Sequence, residues 1–344
     1  MNRNGRIYYI DILKALSIFS VVLIHVFALG LTSEIRGIVI SNFSETFKFA
    51  VPVFLMVTGT LLLNRDYKSI SSFLKKRYSR IIPPYLLWVI FIIFALLLPA
   101  LLNDGPIVLN EIISNVFTFH LAWYFWLMIG TYLMIPVINA FIKTYDINAS
   151  KYIVILFIIS SILYQFLVLI KSYSYIELRF FLMPIGYLCL GYLLANYKFK
   201  REKLIFIIAI ISFIAVSSFE VIYGQYPDLV FILNNLDTAQ ASNMDVSVLR
   251  IIQASSVFLI IKYLAPKLSK IKGIVTSISR SSYGIYLVHI FVYLIYFNFI
   301  PVNGSGTNVF FTLLCGTFII FIVSWIIVFA TSKIPYLKKF SGYA

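Results

Sequence analysis

The sequence predicts an all-α protein, a polytopic transmembrane bundle of about ten spans with both termini in the cytoplasm. Apolar residues make up 61% of the 344 residues and charged residues only 12%, whereas soluble domains are near half apolar and a quarter charged. The apolar residues come in runs of about 20, the length that crosses a bilayer core. Lysine and arginine gather in alternate loops, as the positive-inside rule requires for a fixed orientation.

The predicted spans follow the apolar runs in order. They cover residues 7–30, 43–64, 81–102, 121–142, 151–171, 178–197, 204–223, 248–265, 282–300 and 307–331. With the N-terminus placed inside, most of the 28 lysines and arginines fall in cytoplasmic segments. The whole chain, residues 1–344, is predicted to form one integral membrane domain. The sequence shows no internal repeat, which disfavours a transporter built from duplicated halves.

The net charge of +15 comes from the lysines and arginines that gather in the predicted cytoplasmic loops. Basic residues beside apolar spans contact the cytoplasmic leaflet, so we expect membrane lipids as partners and no nucleic acid. The histidines His25, His120 and His289 lie far apart in the sequence and lack the spacing of metal ligands. No metal is therefore predicted.

The first span carries ionisable residues, which usually mark a site or a pathway inside a membrane. Lys14 and His25 are 11 residues apart, so they share one helix face and are separated by about 16 Å along the axis. Asp11 precedes Lys14 by three residues and can pair with it. An imidazole is suited to proton transfer near neutral pH. The alternatives are snorkelling of Asp11 and Lys14 and a helix–helix hydrogen bond of His25.

A basic run precedes the third span and ends in Arg77 and Arg80. Residues three apart on a helix face the same way, and arginine binds phosphate through two parallel hydrogen bonds. The alternative is ordinary positive-inside anchoring. Pro83 and Pro84 are predicted in the first helical turn, where proline is tolerated.

The remaining candidates lie near the predicted outer face. The loops 103–120 and 224–247 are polar, and they either line a mouth for a polar substrate or are solvated connectors. The candidate substrate-binding residues are Glu45, which can pair with Lys48, and His120, Trp123 and Glu220. A packing role is the favoured interpretation of His289.

Several phrases together resemble the acyltransferase-3 family of membrane acyltransferases. They are the Lys14-to-His25 spacing, Arg77-x-x-Arg80, VPVFLMVTG (51–59), HLAWYFWLMIGTYLMIPVI (120–138) and SSYGIYLVH (281–289). The family usually has arginine where this chain has Lys14, which keeps the charge and loses the guanidinium fork. The fourth-span phrase resembles the small branch that includes O-acetyltransferases of enterobacterial common antigen and of exopolysaccharides.

The resemblance implies a bacterial inner-membrane O-acetyltransferase that uses cytoplasmic acetyl-CoA. The implied acceptor is a hydroxyl of a cell-surface or lipid-linked carbohydrate, and glycan-biosynthesis proteins are possible partners. Arg77, Arg80 and Lys14 would hold the phosphates of coenzyme A. His25, with Lys14 and Asp11, would be catalytic, as a general base or through an acyl-histidine intermediate.

Other functions fit the same residues. A transporter or flippase for a glycan or a small polar substrate also places charges inside a membrane. A non-catalytic membrane subunit would tolerate substitution of His25. Succinyl-CoA as donor keeps the enzyme class and changes only the transferred group.

Overall fold

The computed structural model describes residues 6–29, 43–102, 119–169, 178–223, 247–300, 302 and 307–344, and these contain helices and no strand. The predicted class, an all-α helical membrane bundle, is confirmed. The α-helices in chain order are α1 (Tyr8–Leu29), α2 (Ala50–Leu62), α3 (Ile70–Leu102), α4 (Phe119–Leu169), α5 (Leu178–Asn196), α6 (Glu202–Tyr223), α7 (Val248–Leu264), α8 (Lys272–Phe299) and α9 (Thr307–Lys333). Short 3₁₀ helices cover Ser44–Phe47, Ala265–Ile271 and Lys338–Phe340.

Every predicted span overlaps one of these helices. Within the described ranges, seven helical stretches are long and apolar enough to cross a membrane, and two of them, Trp123–Leu163 and Val248–Phe299, have 41 and 52 residues. Each of these two contains a break, at Asp146 with φ 50° and ψ −136° and at the 3₁₀ helix Ala265–Ile271. The breaks fall between consecutive predicted spans. The count of ten crossings and the cytoplasmic termini stay predictions.

Helices α3 and α8 begin about ten residues before the predicted spans. Lysine and arginine are good helix formers, so the basic segments that precede the apolar runs continue as helix. Pro83 and Pro84 consequently lie inside α3 and not in its first turn, so that prediction is wrong. Each proline removes one backbone donor from the helix. Close to them, the Tyr283 hydroxyl donates to the Ile81 carbonyl at 2.8 Å.

The described chain divides into two compact units. Unit 1 comprises the described residues within Met1–Ile24, Arg36–Arg65 and Ile135–Thr276. Unit 2 comprises those within His25–Ile35, Asp66–Met134 and Ser277–Ala344.

Unit 1 is built on a close approach of α2 and α5. A Cβ placed on Gly59 would lie 1.9 Å from the Leu188 carbonyl oxygen, and one placed on Gly191 would lie 2.0 Å from that of Met56. Small residues allow helix backbones to approach closely in membranes, where dispersion contacts drive helix association. The Thr60 hydroxyl donates across this interface to the Gly191 carbonyl at 3.0 Å.

Unit 2 anchors the C-terminus against α8. The Ala344 amide donates to the Arg280 carbonyl at 2.9 Å, and Gly284 of α8 faces the Ser341 backbone so closely that a Cβ would lie 2.3 Å from its carbonyl oxygen. The indole of Trp325 on α9 donates to the Ser277 hydroxyl at 3.2 Å. These contacts fix the helix that carries His289.

Candidate functional site

A histidine pair lies inside unit 2. His25 Nδ1 and His289 Nε2 are 2.7 Å apart, and the two ring planes are nearly parallel, at 7°. His289 is fully buried. Its second ring nitrogen, Nδ1, lies 3.1 Å from the Ile285 carbonyl oxygen one turn earlier in α8. The backbone partner of His289 is therefore the carbonyl four residues earlier in its own helix.

This arrangement determines the tautomers of the neutral pair. A carbonyl oxygen only accepts hydrogen bonds, so the Nδ1 of His289 carries its proton and the Nε2 of His289 accepts. His25 must then donate from Nδ1 to His289. A neutral imidazole has one N–H, so the Nε2 of His25 keeps its lone pair. That nitrogen is the basic and nucleophilic atom of the pair.

Aromatic rings surround the buried member of the pair. The ring of Tyr286 lies 6.0 Å from that of His289, and the ring of Tyr124 lies 5.0 Å from that of Tyr286. Trp123, a predicted substrate-binding residue, packs edge-on against Tyr124 at 6.0 Å. Trp123 is thus linked to His289 through two intervening rings, those of Tyr124 and Tyr286.

A narrow cavity lies between α3 and α8, and Tyr286 is one of the residues that line it. Side chains from one face of α3 and one face of α8 line it: Tyr85, Trp88, Val89, Ile92, Tyr286, Leu287 and Ile290. All of them are buried. The Tyr85 hydroxyl and the Trp88 indole N–H have no hydrogen-bond partner among the described residues. Buried polar groups in native proteins are nearly always paired, so this pair of atoms needs an explanation.

Arg77 and Arg80 lie on the basic first half of α3 in the same unit. Arg77 is half-buried and Arg80 is exposed. The guanidinium carbon of Arg77 lies 5.4 Å from the centre of the Phe73 ring, and both arginines are within electrostatic reach of Tyr132. The buried Nε of Arg77 has no hydrogen-bond partner in the described part of the chain. One donor of Arg77 is therefore without an acceptor among the described residues, and the exposed Arg80 follows three residues later on the same helix.

Asp11 and Lys14 lie in unit 1. The Asp11 carboxylate pairs with Arg6 at 2.6 Å and accepts from the Thr276 hydroxyl at 3.4 Å. Lys14 is half-buried, with Asp11 and Arg6 as its charged neighbours. This part of α1 is a charged cluster in which Asp11 already has partners.

Glu45 and Glu220 meet at a buried arginine, also in unit 1. Arg250 Nη2 lies 3.3 Å from a carboxylate oxygen of each glutamate. Gln253 donates to Glu220 at 3.0 Å and accepts from Arg250. The predicted pair of Glu45 with Lys48 is confirmed, at 2.6 Å. This network joins the 3₁₀ helix Ser44–Phe47 to α6 and α7.

The described residues do not test two predictions, the site role of His120 and the outer loops and the absence of a metal. His120 lies in the first turn of α4, and its side chain is outside the described part of the structure. Of the two predicted outer loops, only residues 119, 120 and 247 are described. Within the described ranges, no group of three histidine, cysteine, aspartate or glutamate side chains converges. The absence of a metal from the reaction stays a prediction.

The sequence did not identify His289, Tyr85, Trp88 or Arg250 as site residues. The partners of His289 and Arg250 are remote in sequence. Tyr85 and Trp88 line a cavity between two helices, and one chain without its fold does not show which helices pack together. His289 ends the phrase SSYGIYLVH that contributes to the family resemblance, and this was the available signal.

Comparison with known proteins gives one family. The model of the acyltransferase-3 family, described as an acyltransferase domain, matches residues 7–329. No curated protein and no solved structure matches the chain.

Proposed function

Because the chain belongs to the acyltransferase-3 family, we propose that it transfers an acetyl group from acetyl-CoA to a hydroxyl of a cell-surface or lipid-linked carbohydrate. It is a multi-pass membrane protein and an acyltransferase. The proposal adds the donor, the acceptor, the base and a place in the bacterial inner membrane.

The histidine pair carries this proposal. A general base must present a lone pair to the proton that it removes, and the hydrogen bonds of the pair leave that lone pair on His25 Nε2. His289 then acts as a positioning residue. It holds the ring orientation and the tautomer of His25, as the third member of a hydrolase triad does for its histidine.

The reaction follows from this base. His25 Nε2 removes the proton of the acceptor hydroxyl while the hydroxyl oxygen attacks the carbonyl carbon of the thioester. A C–O bond forms, the carbonyl electrons move to oxygen, and their return breaks the C–S bond. The proton passes from His25 to the leaving sulfur, which gives free coenzyme A and the acetyl ester. General base catalysis of this kind supplies about 10²–10⁴-fold in rate.

Arg77 and Arg80 are the proposed binding groups for the donor phosphates. Their guanidinium groups lie on one stretch of α3 in the same unit as the histidine pair, and arginine recognises phosphate through paired hydrogen bonds. A role for Lys14 at the phosphates, and for Asp11 through Lys14, remains part of the proposal from the sequence.

The acceptor side rests on Glu45, His120, Trp123 and Glu220. Trp123 supports it most directly, because an aromatic face suits a sugar ring and this one is linked to His289 through the rings of Tyr124 and Tyr286. The glutamates are engaged with Arg250, so their proposed contact with sugar hydroxyls uses the oxygen lone pairs that these bonds leave over.

Mass spectrometry of surface glycans tests the proposal. A deletion strain is complemented with the wild type, with His25→Ala and with Ile24→Ala, a neighbouring change that leaves both imidazoles in place. We expect loss of an acetyl ester in the deletion strain, its return with the wild type and Ile24→Ala, and no return with His25→Ala at equal membrane abundance. Unchanged acetylation in the deletion strain would remove the carbohydrate acceptor from the account.

A second measurement addresses the chemical route. An acyl-histidine intermediate would use the same lone pair of His25 as nucleophile. Purified protein incubated with radiolabelled acetyl-CoA and no acceptor should stay unlabelled if His25 is a general base. Label retained on the wild type and lost in His25→Ala would establish the covalent route.

A further inference from the structure

We infer that the cavity between α3 and α8 receives the acyl carbonyl of the donor thioester, and that Tyr85 and Trp88 are its hydrogen-bond donors. This inference rests on the proposed function and assigns two further catalytic residues to it. It also predicts which acyl groups the protein accepts.

The first support is the pair of unpartnered donors. Tyr85 and Trp88 are 6% and 5% exposed, and neither the hydroxyl nor the indole N–H is hydrogen-bonded within the described residues. They are three residues apart on α3, hence on one face, and both line the same cavity. An indole N–H can only donate. The ligand must therefore bring an acceptor atom, such as a carbonyl oxygen.

The second support is the position of the cavity beside the histidine pair. Tyr286 lines the cavity, and its ring is also 6.0 Å from that of His289. Leu287 and Ile290, which flank His289 in the sequence, line the cavity as well. The cavity lining and His289 thus share a stretch of α8 less than two turns long.

The donors would act on the charge that develops during transfer. When the acceptor oxygen attacks, the carbonyl electron pair moves to the thioester oxygen, which becomes an oxyanion. The Trp88 N–H and the Tyr85 O–H would bind that oxygen until the C–S bond breaks and the carbonyl reforms. Fixed donors in a dry site are well suited to this task, and removal of one donor typically lowers kcat about 10²- to 10³-fold.

The size of the cavity limits the acyl group. Its free space accommodates about one or two water-sized groups. Apart from Tyr286, the remaining lining side chains, Val89, Ile92, Leu287 and Ile290, are aliphatic and buried. A carbonyl oxygen with one methyl group suits this space, whereas the charged end of a succinyl group would lie against aliphatic side chains at a high desolvation cost. We therefore expect acetyl-CoA to be preferred over succinyl-CoA.

Ligand binding separates this inference from the proposed function. The probes are coenzyme A and the dethia analogue of acetyl-CoA, in which a methylene replaces sulfur, so that the carbonyl is kept and cannot be transferred. In nanodiscs, the wild type should bind the analogue about tenfold more tightly than coenzyme A. Tyr85→Phe and Trp88→Phe should each remove that margin and leave the Kd for coenzyme A unchanged. Trp126→Phe and Tyr152→Phe, which alter exposed rings, should keep the margin.

The outcomes are distinct. If the margin persists in both Tyr85→Phe and Trp88→Phe, the inference is wrong and the proposed function stands. If the wild type binds neither probe, the proposed function fails and the inference fails with it.

A change of acyl selectivity provides an independent test that keeps both donors. Ile92→Ala enlarges the cavity without touching a polar group. It should shift the ratio of kcat/KM for propionyl-CoA over acetyl-CoA by about tenfold towards propionyl-CoA, the value typical of one methylene in an apolar pocket. An unchanged ratio in a variant that still transfers acetyl would contradict the placement of the acyl group.

Discussion

His25 is reactive in this account because of the hydrogen bonds made by a different residue. The carbonyl of Ile285 orients His289, His289 accepts from His25 Nδ1, and the lone pair is left on His25 Nε2. Without His289, either nitrogen of His25 can carry the proton, and the ring can turn.

Substitution of His289 tests this dependence. His289→Leu removes the acceptor for His25, and we expect kcat to fall at least about tenfold with an unchanged KM for acetyl-CoA. His289→Gln retains an oxygen that can accept, so it should recover part of that loss. Steady-state kinetics of both purified variants gives the answer. A purely structural role predicts equal losses in the two variants, together with a raised KM.

Arg77 gives a second prediction for a single residue. Arg77→Ala should weaken coenzyme A binding about ten- to hundredfold, the contribution of a charge-assisted hydrogen bond. Arg77→Lys should weaken it less, because the charge remains and the fork is lost. Titration of coenzyme A into detergent-purified protein measures the three affinities. Lys75→Ala, an exposed residue of the same helix, should match the wild type. Equal affinities for all the variants would remove the phosphate role.

The sequence identified some of these residues and not others, for a physical reason. His25 and Arg77 were visible because ionisable side chains are costly near a bilayer and because helical periodicity assigns faces. His289 and Arg250 depend on contacts 264 and 205 residues away in the chain. Helical periodicity contains no information about such distant partners.

Among the elements, α3 connects two steps of the proposed reaction. Its basic first half carries Arg77 and Arg80, and its apolar second half supplies Tyr85, Trp88 and Ile92 to the cavity. The sequence predicted that the membrane span begins at residue 81, directly after the helical pair Arg77 and Arg80. The helix starts at Ile70, so the residues proposed to bind phosphate and the residues that line the cavity are parts of one helix.

The contact of α2 with α5 is the element most sensitive to added volume. Gly191→Ala would place a Cβ 2.0 Å from the Met56 carbonyl oxygen, so the backbones must separate. We expect the unfolding free energy to fall by about 1–3 kcal/mol, as for overpacked cores. Gly130→Ala is the matched control, since its Cβ would meet nothing within 4 Å. Thermal unfolding in detergent should show a lower midpoint for Gly191→Ala only; equal midpoints would contradict the close approach.

Arg250 joins separate elements through buried charge. Its side chain is 7% exposed and that of Glu220 is 11% exposed, so Arg250→Met leaves the carboxylate of Glu220 without its main counter-charge. We expect a loss of about 3–5 kcal/mol in unfolding free energy.

Two further variants check the cause of that loss. Arg250→Met combined with Glu220→Gln should recover part of the stability, because no buried charge is left over. The Lys48 side chain is 29% exposed, so Lys48→Met should lower the unfolding free energy by less than about 1 kcal/mol. If the double variant is no more stable than Arg250→Met alone, the ion pair is not the source of the loss.

At the scale of the whole molecule, the class of the protein was accessible from composition alone. So few charges leave a bilayer as the only suitable surroundings for these helices, and the breaks at Asp146 and at Ala265–Ile271 fall between predicted spans. The sequence did not show how the candidate residues are distributed between the two units. The histidine pair, the cavity and the pair Arg77 and Arg80 all belong to unit 2. The Arg250 network and the cluster at Asp11 belong to unit 1.

The most direct test of the central claim is acetyl transfer by the purified protein in proteoliposomes, from radiolabelled acetyl-CoA to glycan isolated from the deletion strain. The account predicts ester-linked label with the wild type and a rate lower by at least about 10²-fold with His25→Ala, while the affinity for coenzyme A stays the same. Transfer at the wild-type rate by His25→Ala would contradict it.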